Sequence, residues 1–104
     1  MANPLEWAWT WSGLCFGYWI ESDLWTYGGK HIGRRLGNAI YGPNGRYVGE
    51  LMGNGRLITN KTKAGDLGPV FVPTLARDHQ KRPPDDAGHE RYAGYDDFPH
   101  PDAL

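Results

Sequence analysis

One spacing recurs four times between Trp9 and Thr59: a large apolar residue, three intervening positions, a glycine, then an apolar residue three further on. The glycines are Gly13, Gly29, Gly45 and Gly55, and the residues before them complete Ser12-Gly13, Gly28-Gly29, Asn44-Gly45 and Asn54-Gly55. Such dipeptides between apolar runs predict β-hairpins with two-residue primed turns. The first three glycines are sixteen residues apart (13, 29, 45) and the fourth follows after ten (55). A period of this kind predicts an all-β fold of four pseudo-repeated hairpins.

Two-residue turns fix the pairing, because residues flanking the turn face one another and successive pairs alternate between faces. The arithmetic sets Trp9 against Phe16, Trp25 against Ile32, Tyr41 against Val48 and Leu51 against Ile58 on the apolar face. The opposite face receives Thr10 with Cys15, Thr26 with His31, Gly42 with Tyr47 and Met52 with Leu57. A lone hairpin is marginal in water, so the four apolar pairs are expected around a common centre, as petals of a flower or as a small barrel. The shorter last step implies that the third and fourth units share a strand through Val48, Glu50 and Leu51. Gly17, Gly33 and Gly49 are expected at bulges between hairpins.

Past Asn60 the pattern changes. Lys61 to Gly68 reads as a polar loop, Val70-Phe71-Val72 as a short edge strand, and Thr74 to Lys81 as one or two helical turns ended by Pro83-Pro84. The expected organisation is a hairpin domain over residues 5–82 and an acidic, proline-rich, extended tail over residues 83–104, with 84–88 a flexible connection. Tyr92, Tyr95 and Phe98 are large aromatics of a kind that disordered tails lack, so docking of this segment on the hairpins of its own or a neighbouring chain competes with a free tail.

With 104 residues the chain makes one domain, and five tryptophans, six tyrosines and three phenylalanines supply large buried areas for a small core. The apolar stretch from Trp7 to Ile20 lacks a basic leader and a small-residue cleavage site, and is too rich in Gly, Ser and Thr to span a bilayer. It reads as the first hairpin, with no membrane association. A lone cysteine, Cys15, excludes an intrachain disulfide and fits a reducing, cytoplasmic location.

Charge is segregated along the chain. Residues 29–63 carry Lys30, Arg34, Arg35, Arg46, Arg56, Lys61 and Lys63 against Glu50 alone. Residues 83–104 carry Asp85, Asp86, Glu90, Asp96, Asp97 and Asp102 against Arg91 alone. Either this is solvated surface, or the tail lies against the basic hairpins and screens them.

Three runs carry a family resemblance: Trp25 to Arg34 (WTYGGKHIGR), Ile40 to Leu51 (IYGPNGRYVGEL) and Asn54 to Thr59 (NGRLIT), with Tyr92 to Pro99 (YAGYDDFP) as a terminal segment. They resemble the small bacterial 4-fold beta-flower domain proteins. The resemblance covers roughly residues 24–60 and 92–99 and implies a fold and a largely uncharacterised family. It supplies no catalytic residues, and the tryptophan-rich first unit is less typical of it.

The search for chemistry is mostly negative. His31, His79, His89 and His100 stand singly, without the clustered partners a metal site needs. Ser12 and Ser22 sit outside any nucleophile motif. Cys15 has apolar neighbours and reads as a packed side chain, and His31 as a cross-strand partner of Thr26 on a partly exposed face. No glycine turn carries a phosphate-loop lysine and hydroxyl pair. Asp85-Asp86 and Asp96-Asp97 are adjacent acids whose side chains diverge in an extended chain, a poor geometry for a shared site. The expectation is therefore a non-enzymatic module with no cofactor and no metal.

Two function classes remain. The first is an interaction or assembly module that serves a protein partner or its own oligomer, with Trp7, Tyr47, Tyr92, Tyr95 and Phe98 as candidate interface aromatics. The second is binding of nucleic acid or another polyanion by a basic rim of hairpin tips. Lys30, Arg46 and Arg56 each follow a turn glycine, Leu14 holds that place in the first unit, and Arg34 and Arg35 lie nearby. The alternative reading of those cations is exposed edge protection against aggregation.

Overall fold

The four glycine turns are closed by one and the same pair of backbone bonds. The N–H of Thr10, Thr26, Gly42 and Met52 donates to the carbonyl of Leu14, Lys30, Arg46 and Arg56, at 2.8 to 2.9 Å. The N–H of Gly13, Gly29, Gly45 and Gly55 donates back to Thr10, Thr26, Gly42 and Met52, at 2.9 to 3.0 Å. These are three-residue loops, a tight turn followed by a glycine at positive φ (98°, 94°, 81° and 82°). They are not the two-residue primed turns that the dipeptides predict. One more residue in the loop moves the pairing by one place, so Trp9 faces Cys15, Trp25 faces His31, Tyr41 faces Tyr47 and Leu51 faces Leu57.

The computed structural model describes residues 6–104, so Leu5, the first residue of the expected hairpin domain, lies outside the described residues. The protein is all-β, with no α-helix among the described residues. Its strands are β1 (Glu6–Thr10), β2 (Cys15–Ile20), β3 (Asp23–Thr26), β4 (His31–Leu36), β5 (Ala39–Tyr41), β6 (Tyr47–Leu51), β7 (Arg56–Asn60) and β8 (Tyr95–Asp97). β1 to β7 form an antiparallel meander that closes into a barrel when β7 pairs in parallel with β1, Trp9 beside Arg56 and Thr10 beside Leu57. β6 is shared between β5 and β7, as the short last step implies. The remainder of the same β7 edge, Ile58 to Asn60, is taken by β8.

Strand direction alternates along the meander, so the turns of Gly13, Gly29 and Gly45 lie at one end of the barrel. The turn of Gly55 lies at the other, with the β2–β3 and β4–β5 turns. Register shifts fall at the same phase in three hairpins, between Ala8 and Trp9, Leu24 and Trp25, and Ile40 and Tyr41. The facing strand carries one extra residue each time, Phe16, Ile32 and Val48, beside the expected bulge glycines. At Gly17 the bend needs a bare Cα, because an added Cβ would strike the Trp25 carbonyl.

The interior holds Ala8, Phe16, Trp19, Leu24, Ile32, Ile40, Leu57 and Phe98, with Val48, Leu51 and Leu104 packed against them. Phe16, Ile32, Val48 and Leu51 are thus core as expected, while Trp9, Trp25, Tyr41 and Ile58, their expected partners, are not in that cluster. The tail supplies Phe98, whose ring meets Phe16 edge to face at 5.1 Å.

Residues 66–92 contain no strand or helix. Neither the edge strand at Val70-Phe71-Val72 nor the helical turns at Thr74 to Lys81 form. The segment is instead an extended strap bonded to the barrel by its own backbone.

Candidate functional site

The strap crosses the turn end of the barrel in regular steps. The carbonyls of Gly45, Gly29 and Gly13 accept the N–H groups of Gly68, Arg77 and Asp86 at 2.7 to 2.8 Å, each donor nine residues after the last (68, 77, 86). The carbonyls of Pro43, Tyr27 and Trp11 accept those of Phe71, Gln80 and His89 at 2.9 to 3.1 Å, again nine apart (71, 80, 89). The strap therefore meets three tips spaced by sixteen residues with two bonds apiece. Each buried tip carbonyl finds a donor this way. The Gly55 turn has no strap beside it: a Cβ added at Gly53 or Gly55 would meet nothing within 4 Å.

Side chains reinforce the strap. His31 accepts the Thr74 N–H at Nδ1 (3.1 Å), which leaves the ring proton on Nε2. That nitrogen lies 3.1 Å from Asp23 Oδ1, close enough for electrostatic attraction, although the N–H is not aimed for a hydrogen bond. The ring stacks on Trp25 and lies tilted against Phe71, both at 4.8 Å. Far from facing Thr26 on a half-exposed surface, His31 is 3% exposed beneath the strap.

The candidate cations separate into three groups. Arg56 is buried, and its guanidinium donates to the carbonyls of Thr10 (3.1 Å) and Ala87 (2.9 Å) and to Asp86 (3.1 Å). It is a clamp on the tail and not an exposed tip cation. Arg34 pairs with Asp23 at 2.9 Å and lies over Phe71, and Arg35 lies over Trp19. Lys30 and Arg46 are exposed and take part in no ion pair among the described residues. The acidic tail meets basic hairpin residues again at Lys61 and Asp96, 3.5 Å apart.

The candidate aromatics are equally divided. Phe98 is in the core and Tyr47 is buried, its hydroxyl donating to Glu50 at 2.7 Å and accepting the Asn60 N–H at 3.0 Å. Burial, foremost, and the bond to Glu50 push the Tyr47 pKa well above the ordinary phenol value. Trp7 packs edge to face on Tyr18. Tyr92, 47% exposed, stacks between Trp11 and Tyr95 beside a cavity of about 440 Å³. Cys15 is fully buried, and desolvation raises its thiol pKa, which keeps it a packed thiol.

Two features lie outside the residues singled out from the sequence. Leu67, Val70, Val72 and Leu75 of the strap are 71 to 92% exposed. The sequence divides them among a polar loop (Leu67), a short edge strand (Val70, Val72) and helical turns (Leu75), so they do not read there as one exposed surface. The second is a cavity of about 520 Å³ between the Gly29 and Gly45 tips, lined by Ile32 and Val48 from the barrel and by Pro73 and Ala76 from the strap. Lys30, Arg46 and Leu104 line it too, and Lys30 Nζ donates to the main-chain oxygen of Leu104 at 2.5 Å.

Among the described residues, no group of histidine, cysteine and carboxylate side chains has the arrangement to hold a metal ion, and no helix is long and apolar enough to cross a membrane. Compared with protein-family models, curated proteins and solved structures, the chain matches none.

Proposed function

We propose that the protein is a non-enzymatic assembly module that associates with a second copy of itself through the outer face of its strap. The carrying observation is the exposure of Leu67, Val70, Val72 and Leu75 within nine residues of chain (67–75). Exposed apolar residues gathered on one short segment are a mark of an association surface. A patch of this kind is self-complementary, which suits a two-fold interface between identical chains. The strap's backbone is held by the barrel, so its apolar side chains are presented with little entropy left to lose on association.

Against a basic polyanion-binding rim weigh the internal use of Arg56 and the ion pair of Arg34. The proposal keeps the pseudo-repeat and the 4-fold beta-flower resemblance. In their favour are the shared bonding of all four turns and the common bulge phase of three; the opposite placement of the Gly55 turn sets the fourth unit apart. A bacterial cytoplasmic location belongs to the same reading, supported by the buried free thiol of Cys15.

Sedimentation velocity over a range of concentrations tests the assembly. The wild-type chain should associate reversibly, and Val72→Asp with Leu75→Asp should leave a folded monomer. A wild-type chain that stays monomeric throughout overturns the proposal.

A further inference from the structure

The cavity between the Gly29 and Gly45 tips has the build of a ligand site. Its volume of about 520 Å³ falls in the usual range for small-molecule sites, about 300 to 1,000 Å³. It opens at the mouth of a β-barrel, where such sites concentrate. Ile32 and Val48 make its floor, each the extra residue of a bulge, and Pro73 and Ala76 of the strap make its side. These groups offer an aliphatic ligand contact but give it no hydrogen bond.

The polar lining comprises buried His31, with Asn44, Thr74 and two exposed cations. Lys30 and Arg46 follow the glycines of adjacent tips, line the same cavity and are exposed. Neither pairs with an Asp or Glu among the described ion pairs; Lys30 is held by the Leu104 oxygen, and Arg46 stands beside it at the edge of a mainly apolar cavity. The protein itself shows what such a pair of features accepts. Leu104 packs its side chain against the core while its main-chain oxygen takes the Lys30 ammonium at 2.5 Å. An apolar group joined to an oxygen acceptor already sits at one edge of the cavity.

We propose that this cavity binds an aliphatic carboxylate, with the alkyl chain between Ile32, Val48 and the strap and the carboxylate held by Arg46 and Lys30. Arg46 offers a planar fork that suits a carboxylate, and Lys30 a point charge released from Leu104. The site is distinct from the outer strap face, because its strap residues are Pro73, Thr74 and Ala76 and the assembly residues are Leu67, Val70, Val72 and Leu75.

Isothermal titration calorimetry of the full chain with octanoate, decanoate and 1-octanol tests this. Decanoate should bind saturably at one site, roughly fifteenfold tighter than octanoate, since each of its two extra buried methylenes contributes about a fourfold gain. Octanol should bind at least tenfold more weakly than octanoate. Lys30→Gln with Arg46→Gln should remove that preference for the acid, and Ala76→Trp should abolish saturable binding by filling the cavity from its exposed strap side. Val72→Asp with Leu75→Asp should leave decanoate binding unchanged, whatever it does to assembly. Non-saturable uptake, equal affinity for octanol and octanoate, or full binding by a folded Ala76→Trp variant each overturn the proposal.

Discussion

The backbone N–H of Thr74 donates to Nδ1 of His31 at 3.1 Å, across 43 positions of chain, and makes a buried imidazole the fastening of the strap. His31→Ala removes that acceptor and the ring between Trp25 and Phe71. We expect a loss of about 2 to 3 kcal/mol in urea unfolding. Amide exchange should accelerate around Thr74 while β2 and β3 stay protected, and His31→Gln, which keeps an acceptor, should recover part of the loss. Unchanged exchange at Thr74 in the alanine variant would contradict this role.

Arg56 closes the same structure from the opposite side of the sequence. Arg56→Met keeps the aliphatic stem but strips the donors from the carbonyls of Thr10 and Ala87. The expected cost is about 2 to 4 kcal/mol. Asp86→Asn should cost less than about 1 kcal/mol, because that carboxylate is 64% exposed and its backbone bond to Gly13 survives. Chemical denaturation of both variants separates the buried carbonyl contacts from the charge pair, and equal losses would refute the assignment.

Phe98 is 3% exposed and touches Phe16 and the backbone position of Gly49. Phe98→Ala should cost about 3 to 5 kcal/mol, a large share of the stability of a chain this small. The melting temperature is the direct readout. A tail that merely rested on the surface would leave it unmoved.

Tyr47 sets a limit at high pH. Its folded-state pKa is raised, so the folded protein holds the phenolic proton more tightly than the unfolded chain does. The stability from this group is therefore complete below about pH 10, the unfolded value, and declines as pH climbs past it. Tyr47→Phe should be less stable at neutral pH, having lost the bonds to Glu50 and Asn60, yet fall less steeply above about pH 10. Parallel slopes for the two proteins would discount Tyr47 as the source.

Much of the barrel was legible in the chain: the glycine spacing located four of its turns, though not those that join β2 to β3 and β4 to β5. The register was not, because Xaa-Gly serves both a two-residue primed turn and the end of a three-residue loop. One place of difference took Trp9, Trp25 and Tyr41 out of the interior cluster, Trp25 to a buried place against His31. The strap was illegible for another reason: it binds through main-chain N–H groups, which any residue except proline supplies. Its donors at 68, 71, 77, 80, 86 and 89 share no side-chain pattern, and its prolines fall between them. The basic rim was visible as composition, but Arg56 looked equivalent to Lys30 and Arg46 until Asp86 and Ala87, thirty residues away (86 against 56), came to cover it.

The divided edge of β7 carries a consequence for the order of folding. Its first half pairs with β1 and closes the barrel within residues 6–60. Its second half, Ile58 to Asn60, has no partner until Tyr95 to Asp97 are made. Until that segment docks, the protein shows a bare strand edge and an interior without Phe98. In that interval a second chain competes with Tyr95 to Asp97 for the same row of hydrogen bonds.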